Sequence, residues 1–263
     1  MVEAQTPVHL SYSELGTGTP LILLHGFPLN RAIWQSQVEQ LAESARVITP
    51  DLRGHGASPA PEGEYSIELM ARDVLTLLDE LGIQKAIWAG HSMGGYVALA
   101  AYRIAPERFS GLALVATSDR ADTAEGRQKR YELIEKVKEQ GSEAAVNSKL
   151  FKSDVPEDTD FVQATEDIQK ANRPEGIIGS LHAMANRPDS TELLKEITIP
   201  TLVIGGIGDQ IFKREIAQEM AHALPDSILT LVCTGHMPML EDPDAVTDAL
   251  HQLIIRVENE IGE

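Results

Sequence analysis

The sequence predicts an α/β fold, a mostly parallel central sheet flanked by helices, with an inserted helical cap late in the chain. Short apolar runs alternate with longer stretches of helical period, the pattern of strands that are buried on both faces. The runs end in glycine-rich turns. Only one long stretch, residues 119–196, breaks the alternation and holds helical periods without a convincing strand. The chain, 263 residues with 43% hydrophobic and 24% charged content, is large enough for one sizeable core plus such an insertion.

The first run, Val8–Glu14, alternates polar and apolar residues and reads as an edge strand, joined to the next by Gly16–Pro20. Six more runs follow: Leu21–His25, Arg46–Thr49, Ala86–Ala89, Leu112–Ala116, Thr201–Gly205 and Ser227–Cys233. Helices are expected between them at Ser66–Leu81, Met93–Ile104, Lys213–Leu224 and Pro243–Val257. The last has Asp242 at its N-cap and Pro243 at its first helical position, where the missing N–H costs nothing. Inside the insertion the helical segments are Ala124–Gln140, Ser142–Leu150, Asp158–Ala171 and Pro174–Ala185. Residues 1–118 and 197–263 therefore make the core domain, and residues 119–196 make a cap. Ligands bind outside the carboxyl ends of parallel strands, which is where an insertion between a strand and its next helix emerges.

The formal net charge of −18 disfavours nucleic acid and anionic membranes as partners, since both are polyanions. The N-terminus has no basic segment followed by an apolar one, and no stretch approaches the roughly 18–20 apolar residues of a spanning helix. A soluble, cytoplasmic protein is the expectation. The single cysteine, Cys233, cannot form an internal disulfide, and its run Ile228–Cys233 suggests a buried core thiol. No clustered Cys or His ligands suggest a metal, and no cofactor is implied. Composition leaves the oligomeric state open.

The chemistry lies at Gly90–His91–Ser92–Met93–Gly94–Gly95, a G-x-S-x-G between the strand Ala86–Ala89 and an alanine-rich helix. A serine on so sharp a turn takes a strained backbone, with the residues two away on either side pressed together. Gly90 and Gly94 remove the side chains that would collide. The helix N-terminus then presents free N–H groups and its positive dipole end to a developing oxyanion.

Further motifs follow other strands: His25–Gly26–Phe27–Pro28, Asp51–Leu52–Arg53–Gly54–His55–Gly56–Ala57–Ser58, Gly205–Asp209 and Gly235–Pro243. As an ordered set they resemble the α/β-hydrolase superfamily along nearly the whole chain. The resemblance is to helical-capped carboxylesterases and lactonases related to 3-oxoadipate enol-lactonase and to cofactor-free haloperoxidases and perhydrolases. It implies Ser92 as nucleophile and His236, after the last strand, as general base, because a serine hydroxyl is hardly ionised at neutral pH. The order Ser, acid, His fits the same fold. His25 and His55 sit in glycine turns and read as structural, His91 points elsewhere on the turn, and His222 and His251 lie on exposed helical patterns. The orienting acid is Asp209, with Asp119, one strand earlier, as the alternative. Backbone N–H groups of Phe27 and Met93 are the expected oxyanion donors. Asp51 and Arg53 read as braces for their own loop.

Apolar candidates for the substrate pocket are Phe27, Leu29, Trp34, Met93, Phe212 and Met237, with Leu181 and Met184 from the insertion. All fit a core equally well, and the core is the first reading for Leu181 and Met184. The expected function is serine hydrolysis of carboxylic esters or lactones with small-to-medium acyl groups. Serine at position 92 argues against the dehalogenases and epoxide hydrolases of this fold, which place aspartate there. Carbon–carbon bond hydrolysis, perhydrolysis and a ligand receptor that keeps the residues without turnover stay open as alternatives.

Overall fold

The computed structural model describes residues 6–146, 150–151, 155–156 and 159–262. Seven strands form one sheet: β1 (Tyr12–Leu15), β2 (Thr19–Leu24), β3 (Ala45–Pro50), β4 (Ala86–His91), β5 (Phe109–Val115), β6 (Thr201–Gly206) and β7 (Ser227–Val232). Their order across the sheet is β1-β3-β2-β4-β5-β6-β7; β1 runs antiparallel to β3, and every other pair is parallel. β1 starts later than the alternation of Val8–Glu14 suggests. The N–H of Val8 goes to the Asp73 carboxylate and that of Ser11 to the Ser58 hydroxyl, so side chains bind this stretch in place of a ladder.

Side-chain alternation divides the core in two. Ile22, Leu24, Ile48, Trp88, Leu112 and Leu114 face one side, while Leu21, Leu23, Val47, Ile87, Ala113 and Val115 face the other. Helices cover both faces, because strands apolar on each side must bury both. The chain carries α1 (Gln35–Leu41), α2 (Ile67–Glu80) and α3 (Met93–Ile104) before the insertion. α1 is a helix the sequence reading missed, since seven residues are too few to display a period. Within residues 119–196 come α4 (Ala124–Gln140), α5 (Asp160–Ala171), α6 (Pro174–Ala185) and the short α7 (Thr191–Leu194); α8 (Arg214–Ala223), α9 (Pro238–Glu241) and α10 (Pro243–Gly262) follow. The helical expectation for Ser142–Leu150 is met only by a short 3-10 turn at Ser142–Ala145; residues 147–149 and Asp158 lie outside the described residues.

Local signals set the helix starts. Ser66 Oγ accepts the N–H of Leu69 at 3.0 Å ahead of α2, and Asp242 Oδ1 accepts that of Ala245 at 3.2 Å ahead of α10. α10 buries Val246, Ala249, Leu250, Leu253, Ile254 and Val257, a stripe at helical spacing laid on the sheet. Cys233 corrects the expectation of a buried thiol: β7 is the edge strand, Val232 points inward, and Cys233 beyond it is exposed. Among the described residues no helix is long and apolar enough to cross a membrane.

Candidate active site

The parallel register brings the carboxyl ends of β2, β3, β4, β5, β6 and β7 to one edge, and the predicted motifs all leave from it. Ser92 directly follows β4 with φ 50° and ψ −114°, a left-handed backbone that costs a residue with a Cβ about 1–3 kcal/mol. Its surroundings hold it there. The Ser92 N–H donates to Val115 O at 2.9 Å, extending the β4–β5 ladder, and the Thr117 hydroxyl donates to Ser92 O at 2.7 Å. The glycines are required by close approach: a Cβ on Gly90 would lie 2.3 Å from Gly94 O, and one on Gly94 would lie 2.5 Å from Leu24 O.

Asp209 lies just beyond β6, 3% exposed, with hydrogen bonds to both of its oxygens. Its Oδ1 accepts the N–H groups of Ile211 (2.7 Å) and Phe212 (3.0 Å), and its Oδ2 accepts Nδ1–H of His236 at 2.8 Å. Three N–H groups on one carboxylate fix its position and orientation toward the imidazole. Because Nδ1 carries the proton, the lone pair of His236 sits on Nε2. Asp119, the alternative acid, is placed elsewhere, beside Arg103, Arg187 and Ser190. The structure thus brings Asp209, and not Asp119, to His236.

Ser92 and His236 line one cavity of about 290 Å³ between the sheet edge and the insertion. No hydrogen bond joins their side chains among the described residues; such bonds commonly tighten only when substrate is bound. Phe27, whose N–H is without a partner among the described residues, lines the same cavity. Met93 opens α3, so its N–H is one of the unpaired donors of a helix start, and its side chain is buried in the core.

Three other histidines, His25, His55 and His91, are buried near the site. His25 donates through Nδ1 to Gly26 O at 2.8 Å and accepts the Leu52 N–H at Nε2 at 2.9 Å. Burial lowers it to about 4, and burial together with His25 lowers His55 to about 3, so both stay neutral near pH 7. His91, lowered well below the ordinary imidazole value by burial, donates from Nε2 to the carbonyl of His236 at 2.8 Å. It braces the histidine loop from behind. Asp51 ties its own loop together through the N–H groups of Arg31 and Ala57, both at 2.9 Å. Arg53 reaches further than expected and forms a wholly buried pair with Asp73 of α2.

Of the apolar candidates, Phe27, Phe212, Leu181 and Met184 line the cavity, the last two despite their first reading as core. Leu29, Trp34 and Met237 do not. The chain after β2 turns onto the sheet face, and Leu29 and Trp34 pack wholly buried with Leu21 and Leu23. Met237 is buried in that same cluster as it opens α9. The sequence reading missed Tyr96, Lys129 and Arg130, which line the cavity from α3 and α4. Tyr96 stands one turn after Ser92, which was the available signal; the basic run Arg127–Arg130 gave none that distinguishes a cavity from solvent. Among the described residues no group of three His, Cys, Asp or Glu is placed to hold a metal ion.

Comparison with known proteins bears on the fold and the family. Residues 19–243 match the family model described as the alpha/beta hydrolase fold. 3-Oxoadipate enol-lactonase 2 of Acinetobacter baylyi is 29% identical over 255 residues, 95% of this chain and 94% of that protein. A thermophilic esterase from Thermogutta terrifontis superposes with a TM-score of 0.93 at 35% identity, covering 97% of this chain and 96% of the other. The enol-lactonase from Burkholderia xenovorans LB400 gives 0.87 at 28% identity, over 94% and 96% of the two chains. From the sheet order, the strained turn after β4 and a match spanning residues 19–243, this chain belongs to the α/β-hydrolase fold family.

Proposed function

We propose that the protein is a serine hydrolase of carboxylic esters or lactones with small-to-medium acyl groups. The observation that carries the reading is the pairing of Asp209 Oδ2 with His236 Nδ1 at 2.8 Å, on the cavity that Ser92 lines. Ser92 Oγ attacks the carbonyl carbon while His236 Nε2 takes its proton, and Asp209 stabilises the imidazolium. The tetrahedral oxyanion is received by the N–H groups of Phe27 and Met93, at the positive end of α3. Collapse expels the alkoxide, protonated by His236, and leaves the acyl group on Ser92. Water, deprotonated by His236, then releases the acid. In this reading residues 119–196 act as a cap whose α4 and α6 roof the acyl site.

Ser92→Ala tests the assignment. Hydrolysis of a p-nitrophenyl ester is expected to fall by on the order of 10⁴-fold, with residual rate left to the oxyanion donors, and the circular dichroism spectrum is expected to be unchanged. Activity within tenfold of the parent would remove Ser92 from the mechanism. A panel of p-nitrophenyl esters beside simple lactones then separates esterase from lactonase.

A further inference from the structure

The protein carries a net charge of −18, yet the cavity reverses that sign. Among its described lining residues are Lys129 and Arg130 and no aspartate or glutamate. Lys129 is a rim group, 69% exposed and paired with Glu125 one turn away. Arg130 is different. Its Nε and Nη2 donate to Asp122, a carboxylate that also receives Nη1 of Arg187. Burial acts to raise Asp122, but the hydrogen bonds and charges of Arg130 and Arg187 hold it below the ordinary carboxylate value, so it is ionised. One negative charge against two guanidiniums leaves one positive charge in excess within this cluster of Asp122, Arg130 and Arg187. Arg187 meets backbone acceptors as well, Met184 O at 2.8 Å and Arg120 O at 3.1 Å, and covers the Tyr96 ring at 4.1 Å. Among the described residues, the remaining prong of Arg130, Nη1, has only the thioether of Met184 at 3.4 Å, a weak acceptor for a strong donor. On the same cavity Tyr96 has a hydroxyl without a hydrogen-bond partner among the described residues.

We propose that Arg130, assisted by the Tyr96 hydroxyl, binds a carboxylate on the substrate remote from the bond that is cut, so that the preferred substrates are anionic half-esters or lactones bearing a free acid. The inference rests on the serine-hydrolase reading. It accounts for an arginine held by α4 beside Leu133, Leu181 and Met184 with one of its donors poorly matched. A carboxylate supplies the strong planar acceptor that this donor lacks.

The test compares a pair of methyl esters of matched shape, monomethyl adipate and methyl 6-methylheptanoate, at low ionic strength. The parent enzyme is expected to favour the anionic ester in kcat/KM by on the order of tenfold, with the ratio shrinking as salt screens the attraction. Arg130→Met is expected to bring the ratio to about one or invert it, Arg130→Lys to keep part of it, and Tyr96→Phe to lower it by a smaller factor. The ratio of two substrates on one enzyme cancels any loss of folded protein. Equal turnover of the two esters by the parent, or a preference that survives Arg130→Met, would overturn this proposal alone. Failure of the parent to cut either ester would overturn the hydrolase reading and this one with it.

Discussion

Two helices meet at the cavity, and they are built in opposite ways. α3, which starts at the nucleophile candidate, buries Met93 through Tyr102, whereas α4, which supplies Arg130, buries only Ile134 and Val137 along seventeen residues. α3 is therefore fixed by packing: Gly94 lies so close to β2 that a Cβ would strike the Leu24 carbonyl. α4 has little apolar area to anchor it and is tied down largely by charge, through Asp122, Arg130 and Arg187. The contrast teaches a division of labour. In the proposed reading, the groups that do the chemistry sit on the close-packed sheet edge, while those that would meet the variable end of a substrate sit on a helix held by polar contacts.

The largest effect expected from this division is in the orienting acid. Asp209→Asn is expected to lower kcat by about 10³–10⁴-fold, because His236 would lose its acceptor and take the wrong tautomer. Asp119→Asn, on the insertion side, is expected to change kcat less than about threefold. Stopped-flow or steady-state rates on one activated ester decide between them. The reverse ranking would mean that the sheet edge does not hold the chemistry.

Acid stability separates the same regions. His25 and His55 titrate at about 4 and about 3 in the folded protein, against an ordinary value of 6.5. Between those values the unfolded chain binds more protons, so acid favours unfolding. The contribution is full above pH 6.5 and is lost as pH falls toward 4 and 3, at about 1.4 kcal/mol per pH unit for each site. The sign for Asp122 is the usual carboxylate one: its lowered value adds stability above the unfolded 3.8, lost only as pH falls below that. Urea midpoints are thus expected to drop between pH 7 and pH 5 through the histidines at the sheet edge, with the clamp on the insertion intact. Equal midpoints at the two pH values would show that these imidazoles are not held neutral by burial.

The same contrast governs how much the sequence reveals. Strand runs and the G-x-S-x-G turn are legible because each is dictated by local rules, periodicity and glycine where backbones touch, whereas Asp209 and His236 were reached only through the resemblance that the ordered motifs carry. Leu29, Trp34 and Met237 were misplaced because burial in a core and burial in a cavity call for the same apolar residue types. Arg130 was invisible for the complementary reason. In α4 it is one of several basic residues on a polar helix, and only the fold shows that it faces Met184 and the cavity while Arg127 faces solvent.

The smallest effect, and the most direct measure of the insertion's role, is expected from Met184. This residue lines the cavity from α6 and is 3% exposed, close enough to Arg130 for its sulfur to meet Nη1. Met184→Trp adds bulk at the roof of the acyl site and leaves Ser92, His236, Asp209 and the N–H groups of Phe27 and Met93 untouched. Acetate carries the shortest acyl chain of the series, so its turnover should change least. A longer acyl chain loses space, and each methylene in an apolar pocket is worth roughly 1–3 kcal/mol, which corresponds to a tenfold or greater shift in relative kcat/KM. A p-nitrophenyl series from acetate to octanoate reads this directly as a change of slope with chain length. The displacement also loosens the Arg130 wall, so a larger penalty is expected for a long anionic acyl chain than for a neutral one of equal length. A chain-length profile that stays parallel to the parent's would mean that the insertion covers the site without shaping it, and selectivity would then have to come from Phe27, Phe212 and the sheet edge alone.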